Sequence, residues 1–297
     1  MEFSEDTQQV TITLKELANF AKNPLKTYFN QSLGIYLKDI SEKKIKTDED
    51  FVISPLDFSK VKKQALKMPL KLERALEAEV EKMGFMPNGL FKEIAREKIQ
   101  KEEASLSSRL ESLDIQKQEI FKIDLGFDEP LKLKNGNWQL PALKFNYQNK
   151  ILVTITGSFE DVCSKGLIVH AEDDKIDSVK VYPLFLVFNC LMEQFRVADR
   201  QLIFIKSGTM KNAWFENASS YLENYLTYYF KGLRNASPLV PEWVHKFVYD
   251  DDLRSSLNKS FQDEFRPIYN DYLHWIRNKE ELPYCDSFHK EWKEEAK

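Results

Sequence analysis

The chain has 297 residues, of which 42% are hydrophobic and 30% are charged, proportions typical of a folded protein with a sizeable core. The formal net charge of −4 excludes the strong overall positive field that draws a lone domain to nucleic acid. Three widely spaced cysteines form no Cys-x-x-Cys pair, which predicts free thiols in a reducing cytosol rather than a metal centre. No leader and no membrane-spanning apolar run is recognisable, so we expect a cytoplasmic location without membrane contact.

The N-terminal part is predicted to be mainly helical. Thr13 and Glu16 have the spacing of a capping box, which predicts that a helix follows Thr13. Pro24 ends this helix and starts the next one, because the residue before proline avoids helical backbone and proline suits a first helical turn. Apolar residues at helical spacing predict two further helices, over 59–82 and 88–113.

A hairpin is predicted around Asn135-Gly136, the strongest short-range signal for a type I′ turn. Lys132, Lys134, Asn135 and Trp138 combine cations with an aromatic ring near the predicted tip. Such a tip could contact a base or a protein partner. The alternative is an ordinary solvated hairpin with Trp138 folded back on the core.

The element around which the chain is organised is a predicted β meander over residues 150–171. A run of β-branched residues leads to Gly157, where the chain can bend, and the strand then continues to Val162. A turn at residues 164–166 leads into a short strand that ends at His170. On such an apolar strand, the histidine is predicted to be a structural residue with a satisfied side chain.

Two helices, over 178–194 and 217–234, are predicted after the meander, with a strand pair between them. The tyrosines of the second helix recur at helical spacing, which predicts core or a subunit interface. The order of elements predicts an α+β fold, with a central mixed β-sheet flanked by helices and a long helical N-terminal part. We expect a single domain, 1–297, made of a mainly helical part (1–113), a sheet-containing core (114–216) and a helical C-terminal part (217–297).

Two segments carry a family resemblance. The first runs from Thr-Leu-Lys-Glu-Leu at 13–17 through Asn-Pro-Leu-Lys-Thr-Tyr-Phe at 23–29 to Leu-Gly-Ile at 33–35. The second is Gly-Phe-Met-Pro-Asn-Gly-Leu-Phe-Lys-Glu at 84–93. Both resemble the C-terminal domain of RecC, the gamma chain of exodeoxyribonuclease V in the RecBCD helicase–nuclease. The similarity continues more loosely over the rest of the chain.

The resemblance implies a restriction-endonuclease-like fold of the PD-(D/E)xK type that has lost its catalysis. It implies a structural module that contacts RecB-like and RecD-like helicase subunits and guides or splits a double-stranded DNA end during double-strand-break repair. It also implies that the chain corresponds to this domain alone, without the two helicase-like domains that precede it in the family. We expect no enzymatic activity of the isolated domain, no cofactor and no bound metal.

An active nuclease of this type needs an Asp on one strand and Asp or Glu, any residue, then Lys on the next. The acids hold Mg²⁺ and the lysine orients a water molecule. The resemblance places Glu160 at the first acidic position but Val169 and Ala171 at the other two. Glu93 falls at the ligand position of an early helix. Glu93 and Glu160 are therefore expected to be remnants of a degenerate site.

Asp173 and Lys175 spell a second Asp-x-Lys, but they lie in a polar run that predicts a loop rather than a strand. The alternative hypothesis is an active Mg²⁺-dependent nuclease that uses Glu93, Glu160 or Asp161, and Asp173 with Lys175. A third hypothesis is a free-standing protein-binding domain unrelated to DNA.

Overall fold

A computed structural model describes residues 8–36, 81, 84, 86–87, 89–148, 150–171, 175–197, 200–211 and 217–237. The helix predicted over 59–82 lies outside these residues apart from Glu81, and so does the C-terminal part beyond residue 237.

The helical elements are α1 (Leu14–Lys22), α2 (Pro24–Thr27), a π-helical turn (Tyr28–Ser32), α3 (Leu90–Ser112), a 3₁₀ turn (Lys117–Glu119), α4 (Lys175–Gln194) and α5 (Ala218–Arg234). The strands are β1 (Gln8–Thr13), β2 (Phe121–Phe127), β3 (Leu131–Lys132), β4 (Trp138–Pro141), β5 (Leu143–Tyr147), β6 (Ile151–Cys163), β7 (Gly166–Val169), β8 (Gln201–Phe204) and β9 (Thr209–Lys211).

In the described part of the chain, β6 is the central strand of one mixed sheet. The first half of β6 pairs with β1 in parallel and with β5 in antiparallel orientation. Its second half pairs antiparallel with β2 and β7. Beyond β2 lie β4, which is parallel to it, and then β3; beyond β7 lie β8, also parallel, and then β9. The predicted α+β class, with a mixed sheet flanked by helices, is confirmed.

Gly157 lies where β6 changes partners. Thr156 is the last residue paired with β1, opposite Thr13, and Gly157 itself lies opposite Leu125 of β2. Its φ is +120°, and a Cβ built on it would lie 3.3 Å from the Cβ of Leu14. Glycine is the residue that adopts this conformation without strain. It lets the backbone of β6 pass close to the start of α1, and the two strand pieces predicted on either side of Gly157 form one continuous strand.

Helices cover both faces of the sheet at β7 and β8. On one face, strand residues such as Ile155, Phe159 and Phe204 pack with α1, α4 and α5 in the larger core cluster. On the other face, Ile168 and Ile203 pack with the apolar side of α3. Because β7 and β8 are covered on both faces, they are almost continuously apolar rather than alternating.

The first helix is capped as predicted. The backbone N–H of Glu16 donates to Oγ1 of Thr13 over 3.1 Å, and the N–H of Thr13 donates to Oε2 of Glu16 over 2.7 Å. Oδ1 of Asn23 accepts a hydrogen bond from the N–H of Lys26 and so caps α2. The predicted second helix is α-helical for four residues and then continues as the π-helical turn.

The hairpin between β3 and β4 differs from the predicted type I′ turn. The N–H of Gly136 donates to the carbonyl of Leu133, and the N–H of Leu133 donates to the carbonyl of Asn137. A type I′ turn needs positive φ at both central residues, whereas Gly136 has φ +87° and Asn135 does not have a positive φ. The loop therefore has three residues, with glycine in the last position. Oδ1 of Asn137, the residue after the loop, accepts a hydrogen bond from the N–H of Lys122 in β2.

Candidate functional site

Four polar side chains of β2 and β6 meet on one face of the sheet, opposite the side of Phe159. Asp124 and Ser158 are paired directly across the two strands. Nζ of Lys122 lies 2.9 Å from Oδ1 of Asp124 and 3.4 Å from Oε1 of Glu160. Oγ of Ser158 donates to the same Oε1 over 2.9 Å. We call Lys122, Asp124, Ser158 and Glu160 the β2–β6 polar cluster.

One lysine faces both acids of this cluster. The hydrogen bond with Asp124 raises the pKa of Lys122, and the negative charge of Glu160 adds to the effect. Lys122 thus stays protonated and lies between the two carboxyl groups. Two acids and one lysine are also what a PD-(D/E)xK site contains, but here the lysine precedes the acid on the same strand, Lys-x-Asp, and bonds to it.

Sequence reasoning missed Lys122 and Asp124 as members of this group. The signal was present in β2, where both residues alternate with the apolar Ile123 and must therefore share one face. What the sequence could not show is that β6 brings Glu160 to that face.

The two positions to which the resemblance assigns an acid and a lysine are apolar and buried. Val169 ends β7 and Ala171 lies just beyond it, and each is 8% exposed. Both belong to the larger core cluster. Neither side chain has an atom that can bind a cation or hydrogen-bond to water, and the loss of catalysis expected from these two residues stays a prediction.

Asp161 turns inward next to Glu160. Ile123 pairs with Phe159 while Phe121 pairs with Val162, so β6 holds one extra residue between them. Such a bulge redirects side chains. The Asp161 side chain is 7% exposed.

The partner of Asp161 is His170. Its Nε2 lies 3.1 Å from Oδ2 of Asp161. The other carboxylate oxygen, Oδ1, is buried without a hydrogen-bond partner among the described residues. His170 thus has the partner expected of a structural histidine.

Glu93, the predicted remnant on an early helix, lies in the first turn of α3. Its side chain is 63% exposed and forms an ion pair with Arg96 one turn further along. Glu93 and Glu160 are therefore held by different partners. Within the residues that the structure describes, no three His, Cys, Asp or Glu side chains come together as a metal site would require.

Of the second Asp-x-Lys, Asp173 lies outside the described residues. Lys175 is the first residue of α4, so the helix begins earlier than the predicted 178 and the loop predicted around Lys175 is partly helical. The acidic Asp177 in the first turn suits this earlier start, because negative charge is favourable at a helix N-terminus.

The hairpin residues divide into two groups. Lys132, Lys134 and Asn135 are exposed on β3 and the loop. Trp138 is half-buried and packs against the larger core cluster, with Nζ of Lys132 lying 5.5 Å from its ring centroid. The tryptophan is thus folded back on the core, and the contact role of the three exposed residues stays a prediction.

The predicted core role of the tyrosine helix is largely confirmed. Tyr229 is buried, and Tyr225 packs edge to face against Phe20 and Tyr182. Tyr221, at the start of the stripe, is 47% exposed.

The comparisons with known proteins agree with the resemblance seen in the sequence. A family model described as the RecC C-terminal domain matches residues 9–250, which is more than half of the chain. No curated protein matches the chain. Among the helices that the structure describes, none combines the length and the apolar character that crossing a bilayer requires. With its mixed sheet, its flanking helices and this match, the chain belongs to the RecC C-terminal domain family.

Proposed function

We propose that the chain is a non-catalytic structural and interaction domain of a RecC-type exodeoxyribonuclease V gamma subunit. Family membership supports a role in RecBCD-type DNA repair. The single observation that carries the non-catalytic part is the burial of Val169 and Ala171 in the core, at the positions where the resemblance requires an acid and a lysine. The sheet is then a PD-(D/E)xK-type framework retained for its shape.

The partners in this proposal are RecB-like and RecD-like helicase subunits and a double-stranded DNA end held by the complex in the cytoplasm. The exposed Lys132, Lys134 and Asn135 of the hairpin are the candidates for DNA or partner contact. The exposure of all three and the positive charge of the two lysines support this role, whereas the net charge of −4 argues that the chain alone binds duplex weakly.

Co-expression tests the proposal. The full chain is produced with the RecB-like and RecD-like subunits of the same genome and analysed by size-exclusion chromatography. We expect co-elution of the chain with at least one helicase subunit. Elution of a folded chain on its own at micromolar concentration contradicts the interaction role. Lys132→Ala/Lys134→Ala, compared with Lys98→Ala/Lys101→Ala on the exposed side of α3, shows whether the hairpin contributes.

A second candidate function, an active Mg²⁺-dependent nuclease, has one observation in its favour. The β2–β6 polar cluster holds two carboxylates and a lysine within hydrogen-bonding distance, the groups that metal-dependent hydrolysis uses. Asp124→Asn and Glu160→Gln remove its two acids, and Asp173→Ala removes the acid of the other Asp-x-Lys. Mg²⁺-dependent cleavage by the wild-type chain that one of these variants loses favours this candidate over the first.

A further inference from the structure

In the part of the chain that the structure describes, α3 covers only one end of its side of the sheet. It packs on β7 and β8 through Ile168 and Ile203. Two apolar residues near the other end are exposed, Phe127 at 41% and Leu131 at 54%. Neither belongs to a core cluster. The sheet therefore presents apolar side chains to solvent at β2 and β3.

Strand pairing places both residues on the side of α3. One row of directly paired residues crosses β3, β4, β2 and β6, and its members are Leu131, Gln139, Asp124 and Ser158. Directly paired residues share one side of a sheet, here the side opposite Phe159. Phe127 pairs with Pro141, two residues beyond Gln139 in β4, so it lies on this side as well. We call the side of β2, β3, β4 and the adjoining part of β6 that carries these residues the open face.

The open face is wide enough for one helix. Neighbouring strands lie ~4.8 Å apart, so the row from β3 to β6 is about 14 Å wide. An α-helix with its side chains is ~10–12 Å across. The adjacent part of this side, at β7 and β8, is covered by α3. A helix on the open face would therefore lie next to a helix that already packs on the same sheet.

The formal charge of the open face is negative. Asp124 and Glu160 lie on it with Lys122 between them. Asp128 and Glu129 are exposed in the loop that joins β2 to β3, directly after Phe127. Four acids and one lysine leave a formal charge of −3 beside the two exposed apolar residues.

The cations of the β3–β4 hairpin do not offset this charge. Lys132 pairs with Trp138 and lies on the opposite side of the sheet, where its Nζ is 5.5 Å from the ring centroid. An acidic surface repels the phosphates of DNA. It complements a protein segment that carries Lys or Arg beside apolar residues.

We propose that the open face binds a basic amphipathic helix of a protein partner. The apolar residues of that helix pack on Phe127 and Leu131, and its cations face the acids around them. Apolar anchors at helical spacing are how such helices bind to grooves and faces of other proteins. The inference rests on the proposed interaction role and adds to it a location and a chemistry.

Fluorescence anisotropy with the full chain and a labelled amphipathic peptide of leucine and lysine tests the proposal. The peptide has roughly 18 residues, about five helical turns. One control peptide has the same composition with a central proline, which breaks the helix, and a second replaces lysine by glutamate. We expect the Leu/Lys helix to bind at least about tenfold more tightly than either control, a difference that anisotropy titration resolves.

Two double variants locate the contact. Phe127→Ser/Leu131→Ser removes the apolar anchors and should weaken peptide binding about tenfold at low and at high salt. Asp128→Lys/Glu129→Lys reverses the charge of the loop and should weaken binding about tenfold at ~0.01 M salt. Its effect should largely disappear at ~1 M salt, because the Debye length falls from ~30 Å to ~3 Å.

Matched controls change exposed residues elsewhere. Phe195→Ser/Met210→Ser removes two apolar side chains, and Glu97→Lys/Glu193→Lys reverses two charges. Both should bind the Leu/Lys peptide as the wild-type chain does. Circular dichroism melting curves check that every variant is folded.

Four results overturn the proposal. Two are no detectable peptide binding by the folded wild-type chain and an equal loss of binding in the open-face variants and their controls. The third is duplex DNA that binds the wild-type chain and is released by Phe127→Ser/Leu131→Ser, which identifies DNA as the occupant. The fourth is a wild-type dimer in sedimentation experiments that the same variant converts to a monomer, which identifies a second copy.

The co-elution experiment with helicase subunits uses the wild-type chain and gives its result independently. The open face can therefore fail as a binding surface while the interaction role stands.

Discussion

Nε2 of His170 lies 3.1 Å from Oδ2 of Asp161, and this contact joins the bulged part of β6 to the residue that follows β7. The carboxylate is almost completely buried and its second oxygen has no partner among the described residues. The histidine therefore supplies the one hydrogen bond seen for a group that is costly to bury alone.

Removal of the imidazole should destabilise the fold. His170→Ala leaves the Asp161 carboxylate buried and without its partner, at a cost of about 2 kcal/mol in the free energy of unfolding. Urea denaturation of the wild-type and variant chains measures the difference. In an Asp161→Asn background, where an amide replaces the carboxyl group, the same histidine change should cost less. Equal costs in both backgrounds contradict the pairing.

Gly232 is predicted to be indispensable for the packing of α5 on α1. A Cβ at this position would lie 2.5 Å from Cζ and 2.7 Å from Cε2 of the fully buried Phe20. Gly232→Ala should therefore destabilise the chain by about 1–3 kcal/mol, as overpacking typically does. Asn224→Ala, at an exposed position of the same helix, should change stability by less than about 0.5 kcal/mol.

A second substitution, Phe20→Leu, tests whether the clash with the Phe20 ring causes the destabilisation by Gly232→Ala. If the clash with the ring is the reason, Phe20→Leu should cost less in the Gly232→Ala background than in the wild-type chain, because neighbouring substitutions are not additive. Additive costs contradict the packing explanation.

The buried tyrosines of α5 predict a loss of stability at alkaline pH. Burial raises the pKa of Tyr229 to about 12 and raises the pKa of Tyr225 well above its usual value. An unfolded tyrosine has a pKa of about 10, so above that pH the folded state binds more protons than the unfolded state. The stabilisation is fully present below about pH 10 and is lost as the pH rises through about 12, by ~1.4 kcal/mol per pH unit for each such group.

Tyr225→Phe tests this explanation. The variant should show a shallower fall of unfolding free energy between about pH 10 and 12, measured by urea denaturation at each pH. Its hydroxyl is buried without a hydrogen-bond partner among the described residues, so at neutral pH the change should be neutral or stabilising. An alkaline slope that Tyr225→Phe leaves unchanged contradicts burial of this tyrosine as the cause.

Local signals predicted much of the secondary structure. The capping box of Thr13 and Glu16 marks the start of α1, and Gly157 marks the bend of β6, because each depends on residues adjacent in the chain. The long-range partners were not predictable in the same way. β1 pairs with β6, which lies more than a hundred residues further along the chain. Apolar residues at every second position predict a strand but do not show which other strand pairs with it.

Only part of the candidate site could be predicted from the sequence. The apolar character of Val169 and Ala171 is visible in the sequence, and the resemblance to RecC assigns these two positions to an acid and a lysine. The contact between Asp161 and His170 depends on one extra residue in β6, and nothing in the local sequence signals that bulge. The type I′ turn predicted at Asn135-Gly136 was wrong, because the loop contains a third residue, Lys134, and Asn135 lacks the positive φ that this turn requires.

A nuclease assay of the folded chain on linear duplex and single-stranded DNA, in Mg²⁺ and then in Mn²⁺, tests the central claim most directly. In the proposed nuclease-like frame, the buried Val169 and Ala171 occupy the positions of the second acid and the lysine, so we expect no cleavage above the level of a metal-free sample. Metal-dependent cleavage that is lost in Asp124→Asn/Glu160→Gln and kept in a matched Asp128→Asn/Glu129→Gln control would contradict it.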